Sequence, residues 1–172
     1  MSTIIVAAIL IISTILIFLI FIYINKKNER DRNETFLTLF SKAGTKYGLS
    51  FSSQQILRNK IIGLDGLQNK LLMYQFENNN IICIDLAKVK SCTVTKEYDS
   101  VNMGTEKKSK IEKQLRSINI NFDFKSSLQP VAIPFYDSNI NSIYEMAPLN
   151  AKAEDWQILL SKLLLKEHKA RA

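Results

Sequence analysis

The chain has 172 residues, 23 Lys and Arg against 16 Asp and Glu, a formal net charge of +7 and two cysteines. So few cysteines exclude a disulfide-stapled miniprotein, and five scattered glycines leave no phosphate cradle of the P-loop or dinucleotide kind. The single histidine, His168, stands in a Lys-rich tail, so acid–base and metal chemistry have little to draw on.

The opening segment, "IIVAAILIISTILIFLIFIYINKK", carries no charged side chain before Lys26. At about 1.5 Å per residue a helix over Ile4 to Ile24 covers roughly 30 Å, the thickness of a hydrocarbon core. A cleaved signal would need a basic start, a shorter apolar centre and small residues before the cut. This run instead ends in bulky Phe21, Ile22, Tyr23 and Ile24, so residues 1–25 are expected to be a retained transmembrane anchor. Ser13 and Thr14 are expected to bond back to their own helix. Lys26, Lys27, Arg30 and Arg32 follow at once, and such residues stay on the cytoplasmic side. The N-terminus is therefore expected outside, with residues 26 to 172 in the cytoplasm and Tyr23 at the headgroup level.

Residues 26–48 form a juxtamembrane region. Asn25 to Arg32 is a mixed-charge connector that can continue the helix. Phe36, Leu39, Phe40, Ala43 and Tyr47 then recur at helical steps, with Gly48 as a natural stop. The stripe's polar face lacks the dense Lys and Arg of an interfacial helix, so the stripe is expected to dock on the following domain.

Residues 49–172 suit one domain of ordinary size. From Lys60 the apolar period becomes two. "KIIGLDGLQNKLLMYQF" predicts two strands joined around Asp65-Gly66, with the turn ending near Asn69. Asn78 to Asn80 makes another turn, and Ile81 to Leu86 is a third strand. "KSCTVTKEY" is a fourth, with Cys92 and Val94 on one face. A polar loop, "DSVNMGTEKKSK", leads to "SININFDFK", whose Ile118, Ile120, Phe122 and Phe124 alternate with polar residues. That pattern predicts one face on a core and one in water. "PVAIPFYD" is a sixth strand, and Pro134 marks it as an edge or a bend. Last comes an amphipathic helix, "NAKAEDWQILLSKLLLKEH", with Asn150 as its cap and Trp156, Leu159, Leu160 and Leu163 as its buried stripe.

The expected fold is α+β: an N-terminal transmembrane helix, a juxtamembrane helix, then about six antiparallel strands closed by a C-terminal amphipathic helix. Such coverage resembles the pleckstrin-homology-like partial barrel. That arrangement has seven strands and would need a further one around Leu49 to Leu57; an open sheet with helices on one face is the alternative. The anchor, "RNKIIGLD", "IICIDLAKVKSCTV", "IPFYD" and the Trp-bearing last helix together resemble a group of small single-pass membrane proteins of Bacteroidota. That resemblance implies a bacterial inner membrane and brings no functional residues with it.

For function, the residues favour a non-enzymatic, membrane-tethered binding or adaptor module. Cys83 and Cys92, expected as buried thiols on neighbouring strands, lack further soft ligands for a zinc site. Asp65, Asp85, Asp99 and Asp123 stand singly, as solvated acids do, so no catalytic residue, metal or cofactor is expected. The positive charge clusters at Lys26 to Arg32, Lys107 to Arg116 and Lys162 to Arg171. Lys26, Lys27, Arg30, Arg32, Lys107, Lys108, Lys110, Lys113 and Arg116 are the candidates for contact with anionic lipid. No aromatic-basic motif accompanies the charge, so nucleic acid is not an expected partner. A membrane protein is. The groove beside the last helix, or the edge strand with Pro134, offers it a place, although Pro134 can equally block pairing.

Overall fold

A computed structural model of the protein describes residues 2–102, 111–126 and 129–170. The chain divides at Tyr47–Gly48 into two compact units.

The first unit is a single helix, α1 (Ser2–Lys46). It runs without a break through the apolar segment and the mixed-charge connector, so the linker expected after residue 25 is helical. At about 1.5 Å per residue, the 45 residues span roughly 67 Å. Thr14 Oγ1 donates to the Ile11 carbonyl at 2.8 Å, the back-bond to its own helix expected for a hydroxyl among apolar neighbours. α1 is long and apolar enough to cross a membrane. The helix stops where Gly48 adopts φ +63°, a left-handed conformation that glycine takes without a Cβ clash.

Among the described residues the second unit holds seven antiparallel strands in two sheets, where one sheet of about six was expected. β1 (Ser53–Ile56), β2 (Lys60–Asp65), β3 (Lys70–Gln75) and β4 (Asn80–Asp85) form the first sheet in that order. β5 (Val89–Asn102), β6 (Ile111–Phe124) and β7 (Val131–Asp137) form the second. The extra strand, β1, is short and reads Ser-Gln-Gln-Ile, so no apolar alternation announces it. A 3₁₀ turn, Leu86–Lys88, carries the chain from one sheet to the other. It takes in Leu86, the expected last residue of the third strand.

Turn chemistry sets the first sheet. Among the described residues, Asn69 and Asn79 are the non-glycine residues with positive φ, at 53° and 51°, and each closes a hairpin. Asn tolerates this region because its short polar side chain bonds locally. In the second sheet, the first four residues of the expected polar loop are strand: Asp99 to Asn102 pair with Ile111 to Gln114. The remainder of that loop, residues 103–110, lies outside the described residues. Opposite Asn119 the β6–β7 ladder slips by one residue at Pro134, leaving Phe135 as a bulge before Tyr136. The slip turns both Phe135 and Tyr136 into the core.

α2 (Met146–Ala170) packs on β5, β6 and β7. It begins four residues before Asn150, so Asn150 is not its cap; Asn150 Nδ2 donates instead to Glu154 Oε1 at 2.8 Å. The entry is set by the preceding 3₁₀ turn, Ile143–Glu145, where Ser142 and Glu145 form a reciprocal capping box. Pro148 sits in the first turn of α2, where a missing N–H costs nothing. The buried stripe is Leu149, Ala153, Trp156, Leu160 and Leu164, with Leu159 and Leu163 only partly covered. It meets Ile62, Leu64 and Met73 of the first sheet and Ile118, Ile120 and Phe122 of the second in one core.

Candidate functional site

The candidate lipid contacts fall in both units. Lys26, Lys27 and Arg30 are exposed and share roughly a 100° arc of α1. Arg32 points elsewhere, its guanidinium 5.8 Å from the centre of the Phe36 ring. Glu29 and Asp31 interleave with them, so the collar is basic in excess rather than uniformly. On β6, Lys113 and Arg116 are exposed, and Arg116 lies 3.6 Å from Asp99 Oδ1. Lys107, Lys108 and Lys110 lie outside the described residues. His168 stands in the last turns of α2, and its side chain too lies outside them.

The cysteines differ from expectation. Cys83 is exposed on β4, an outermost strand of the first sheet, while Cys92 is buried on β5 of the second, so the two are not on neighbouring strands. Cys92 Sγ lies 3.6 Å from Ser161 Oγ, and burial pushes its thiol above the ordinary value. Burial raises the Cys83 thiol as well. Both shifts run opposite to the depressed pKa that activates a thiol as a nucleophile. Among the described residues no three His, Cys, Asp or Glu converge on a point that would hold a metal ion.

Among the described residues two charged side chains are buried: Asp65, which was expected to be solvated, and Lys60. Asp65 is 1% exposed. Its Oδ1 accepts from the Leu67 and Gln68 N–H groups at 2.9 Å, and its Oδ2 accepts from Ser50 N–H at 2.7 Å. The bonds from Gln68 and Ser50 outweigh burial and hold its carboxyl below the usual range. Asp65 is the hub of the β2–β3 turn and ties the start of the unit to it. Lys60, at 7% exposure, reaches across to the second sheet and donates its Nζ to the Pro134 carbonyl at 3.0 Å. Burial lowers its pKa, opposed by the carboxylates of Asp137 and Glu77. Neither residue has a sequence signal beyond its charge at a strand end.

The other carboxylates serve local structure. Asp85 Oδ1 accepts from the Ala87 N–H and caps the 3₁₀ turn, and Asp123 Oδ2 accepts from Ser91 Oγ at 3.0 Å. The outer face of the second sheet, expected in water, buries Ser117 and Asn119. Asn119 Nδ2 donates to Ser117 Oγ at 3.0 Å, and Ser117 Oγ donates to Glu97 Oε2 at 2.9 Å. The polar groups of this row satisfy one another across strands, which offsets the loss of water.

The strand edges are the remaining surface with binding chemistry. Pro134 brings no N–H to the β7 edge, and Lys60 occupies its carbonyl. Both features disfavour an added strand at this residue. Comparison of the chain with protein-family models, with curated proteins and with solved structures finds no match.

Proposed function

We propose that the chain is a single-pass, membrane-tethered binding or adaptor module. A non-enzymatic domain of pleckstrin-homology-like build is held at the cytoplasmic face of a bacterial inner membrane. One observation carries this reading: from Ile11 to Ile24 no side chain of α1 is buried, and its Ile, Leu and Phe residues are exposed on every side. A helix that is apolar all round needs hydrocarbon, or other apolar helices, as its surroundings. The basic residues that follow favour retention of that end on the cytoplasmic side. The seven antiparallel strands, the two-sheet division and the closing helix support the partial-barrel reading. The described aspartates at the turns and strand ends are engaged in local structure, which favours recognition over catalysis.

Tethering raises the effective concentration of such a domain toward neighbours in the same leaflet. In the expected outcome, the protein resists extraction by alkaline carbonate. A membrane-impermeant maleimide labels Cys83, exposed on β4, in inverted vesicles and not in intact cells. Release by carbonate, or labelling from outside, ends this reading.

A second reading is favoured by the exposed arc of Lys26, Lys27 and Arg30 directly after the apolar run. Near an anionic leaflet each such side chain contributes about 1 kcal/mol, screened within about 8 Å at physiological ionic strength. For lipid recognition to extend to Lys113 and Arg116, a fragment beginning at residue 34 must bind anionic vesicles at low salt and leave them at high salt. A fragment that stays unbound at low salt confines lipid contact to the collar on α1.

A further inference from the structure

The two sheets leave four outermost strands, β1 and β4 in the first and β5 and β7 in the second. An outermost strand is a template for pairing, and native proteins blunt it with short length, proline, charge, bulges or caps. β1 has four residues and is mostly polar. β7 has Pro134, the Phe135 bulge and the Lys60 cap. β5 is interrupted by register shifts between Val89 and Ser91 and between Glu97 and Tyr98. It also carries Lys90 and Lys96, and the Val94 N–H donates to Gln157 Oε1 of α2 at 3.0 Å. Among the described residues β4 has no proline, bulge or cap, and its one charge, Asp85, stands at its last residue. Its six residues, Asn-Ile-Ile-Cys-Ile-Asp, pair with β3 without a shift and include no proline and no lysine.

The direction of its backbone groups follows from the ladder. Just past β4, the Leu86 N–H donates to the Asn69 carbonyl, so alternate residues Ile84 and Ile82 turn their N–H and C=O toward β3. Ile81 and Cys83 therefore turn theirs outward, and among the described residues no side chain caps them. Cys83 is exposed, and Ile81 and Ile82 are partly so.

We propose that this edge pairs antiparallel with β4 of a second copy of the chain, about a two-fold axis at Ile82, joining the two four-stranded sheets into one. The occupant follows from self-complementarity. Pairing about Ile82 sets Ile82 against its counterpart and Ile81 against Cys83, so apolar meets apolar on both faces. Pairing about Cys83 would set Asp85 against Ile81. Exposed Glu77 lies three residues before β4 and exposed Lys88 three residues after it, so antiparallel pairing brings each Glu77 toward the other copy's Lys88. A two-fold contact of this kind closes on itself and leaves no β4 edge for a third copy. The interface is small, and confinement of both copies to one leaflet supplies the effective concentration that it needs. The proposal rests on the tethered reading and names the partner.

The test uses the full chain in vesicles at low protein-to-lipid ratio. In this register the two Cys83 residues are diagonal neighbours, about 7–8 Å apart. A short bis-maleimide then links two copies, whereas oxidation to a disulfide is disfavoured at that separation. The dimer band is expected to vanish in Cys83→Ser, with buried Cys92 untouched, and to fall at least tenfold in Ile81→Pro. That substitution removes an outward N–H without touching the β3 ladder. Should Ile81→Pro unfold the domain, Ile81→Lys places a like charge on both edges and must give the same loss. A missing dimer band, a band that survives both Ile81 substitutions, or Cys83 linked to a different protein overturns the proposal. Carbonate extraction tests the anchor separately, so failure of the edge and failure of the tether are distinguishable.

Discussion

α1 and α2 are both rich in Leu and Ile, yet they dispose of them in opposite ways. In α2 the apolar residues recur at steps of three and four, and Leu149, Ala153, Trp156, Leu160 and Leu164 disappear into the core while Ile158 and Leu165 face out. In α1 the run from Ile11 to Ile24 has no buried side and no polar side. The period of α2 is an instruction for folding: one face is satisfied by sheets that the same chain supplies. The lack of a period in α1 is an instruction for location, because its apolar surface needs surroundings that the unit does not contain. The two helices therefore fail under different insults, and substitution can separate them.

The largest effect is expected in α1. Leu16→Arg combined with Leu19→Arg places two guanidinium groups near the middle of the run, each costing roughly 2.5–3.5 kcal/mol on insertion scales. The doubly substituted protein is expected in the carbonate-soluble fraction, with the near-ultraviolet dichroism of its second unit unchanged. If it stays in the membrane pellet, the run is not a span. α2 should answer to the opposite change. Leu160 is fully buried, so Leu160→Ala leaves a cavity and costs about 2–5 kcal/mol, read from urea denaturation in mild detergent. Leu165→Ala, on the exposed side of the same helix, should fall within about 0.5 kcal/mol of the parent. Neither change in α2 should alter carbonate resistance.

What the sequence made legible follows the same divide between pattern and partner. The hairpins around Asp65-Gly66 and Asn78 to Asn80 were readable because alternation and turn residues are local signals, and β7 was marked as outermost by Pro134. β1 was legible only as the strand that a seven-stranded arrangement needs around Leu49 to Leu57, not from its own pattern: four mostly polar residues hold a place in the sheet by pairing with β2, whose six residues are all buried. The start of α2 was set too late at Asn150, because the capping pair Ser142 and Glu145 acts through a 3₁₀ turn that carries no apolar period. Ser117 and Asn119 looked like a wet face; their burial goes with hydrogen bonds to one another and to Glu97 on the neighbouring strand, which the period of one strand cannot reveal. Of the candidate contacts, the collar on α1 was legible as charge. The roles of Lys60 and Asp65 were hidden, since each depends on a partner distant in the chain or on backbone geometry.

Asp65 sharpens the comparison from the polar side. While α1 leaves apolar surface for other surroundings, the second unit buries even a carboxylate and satisfies it internally. In Asp65→Asn, the retained oxygen can still accept from Leu67 and Gln68, but the new amide group faces the Ser50 N–H, and two donors cannot bond. The cost is expected at about 1–3 kcal/mol, below that of Leu160→Ala. The pH profile separates this role from generic packing. Because the folded carboxyl titrates below its ordinary value of 3.8, the unfolded chain takes up its proton first as acid is added. Asp65 thus contributes its full stability above that value and loses it as pH falls through the lower, folded value. Urea midpoints measured between pH 5 and about pH 2 should fall more steeply for the parent than for Asp65→Asn, so that the gap between them narrows with acid. A gap that stays constant across that window would mean that the turn is held by shape alone and that the ionised carboxylate contributes nothing.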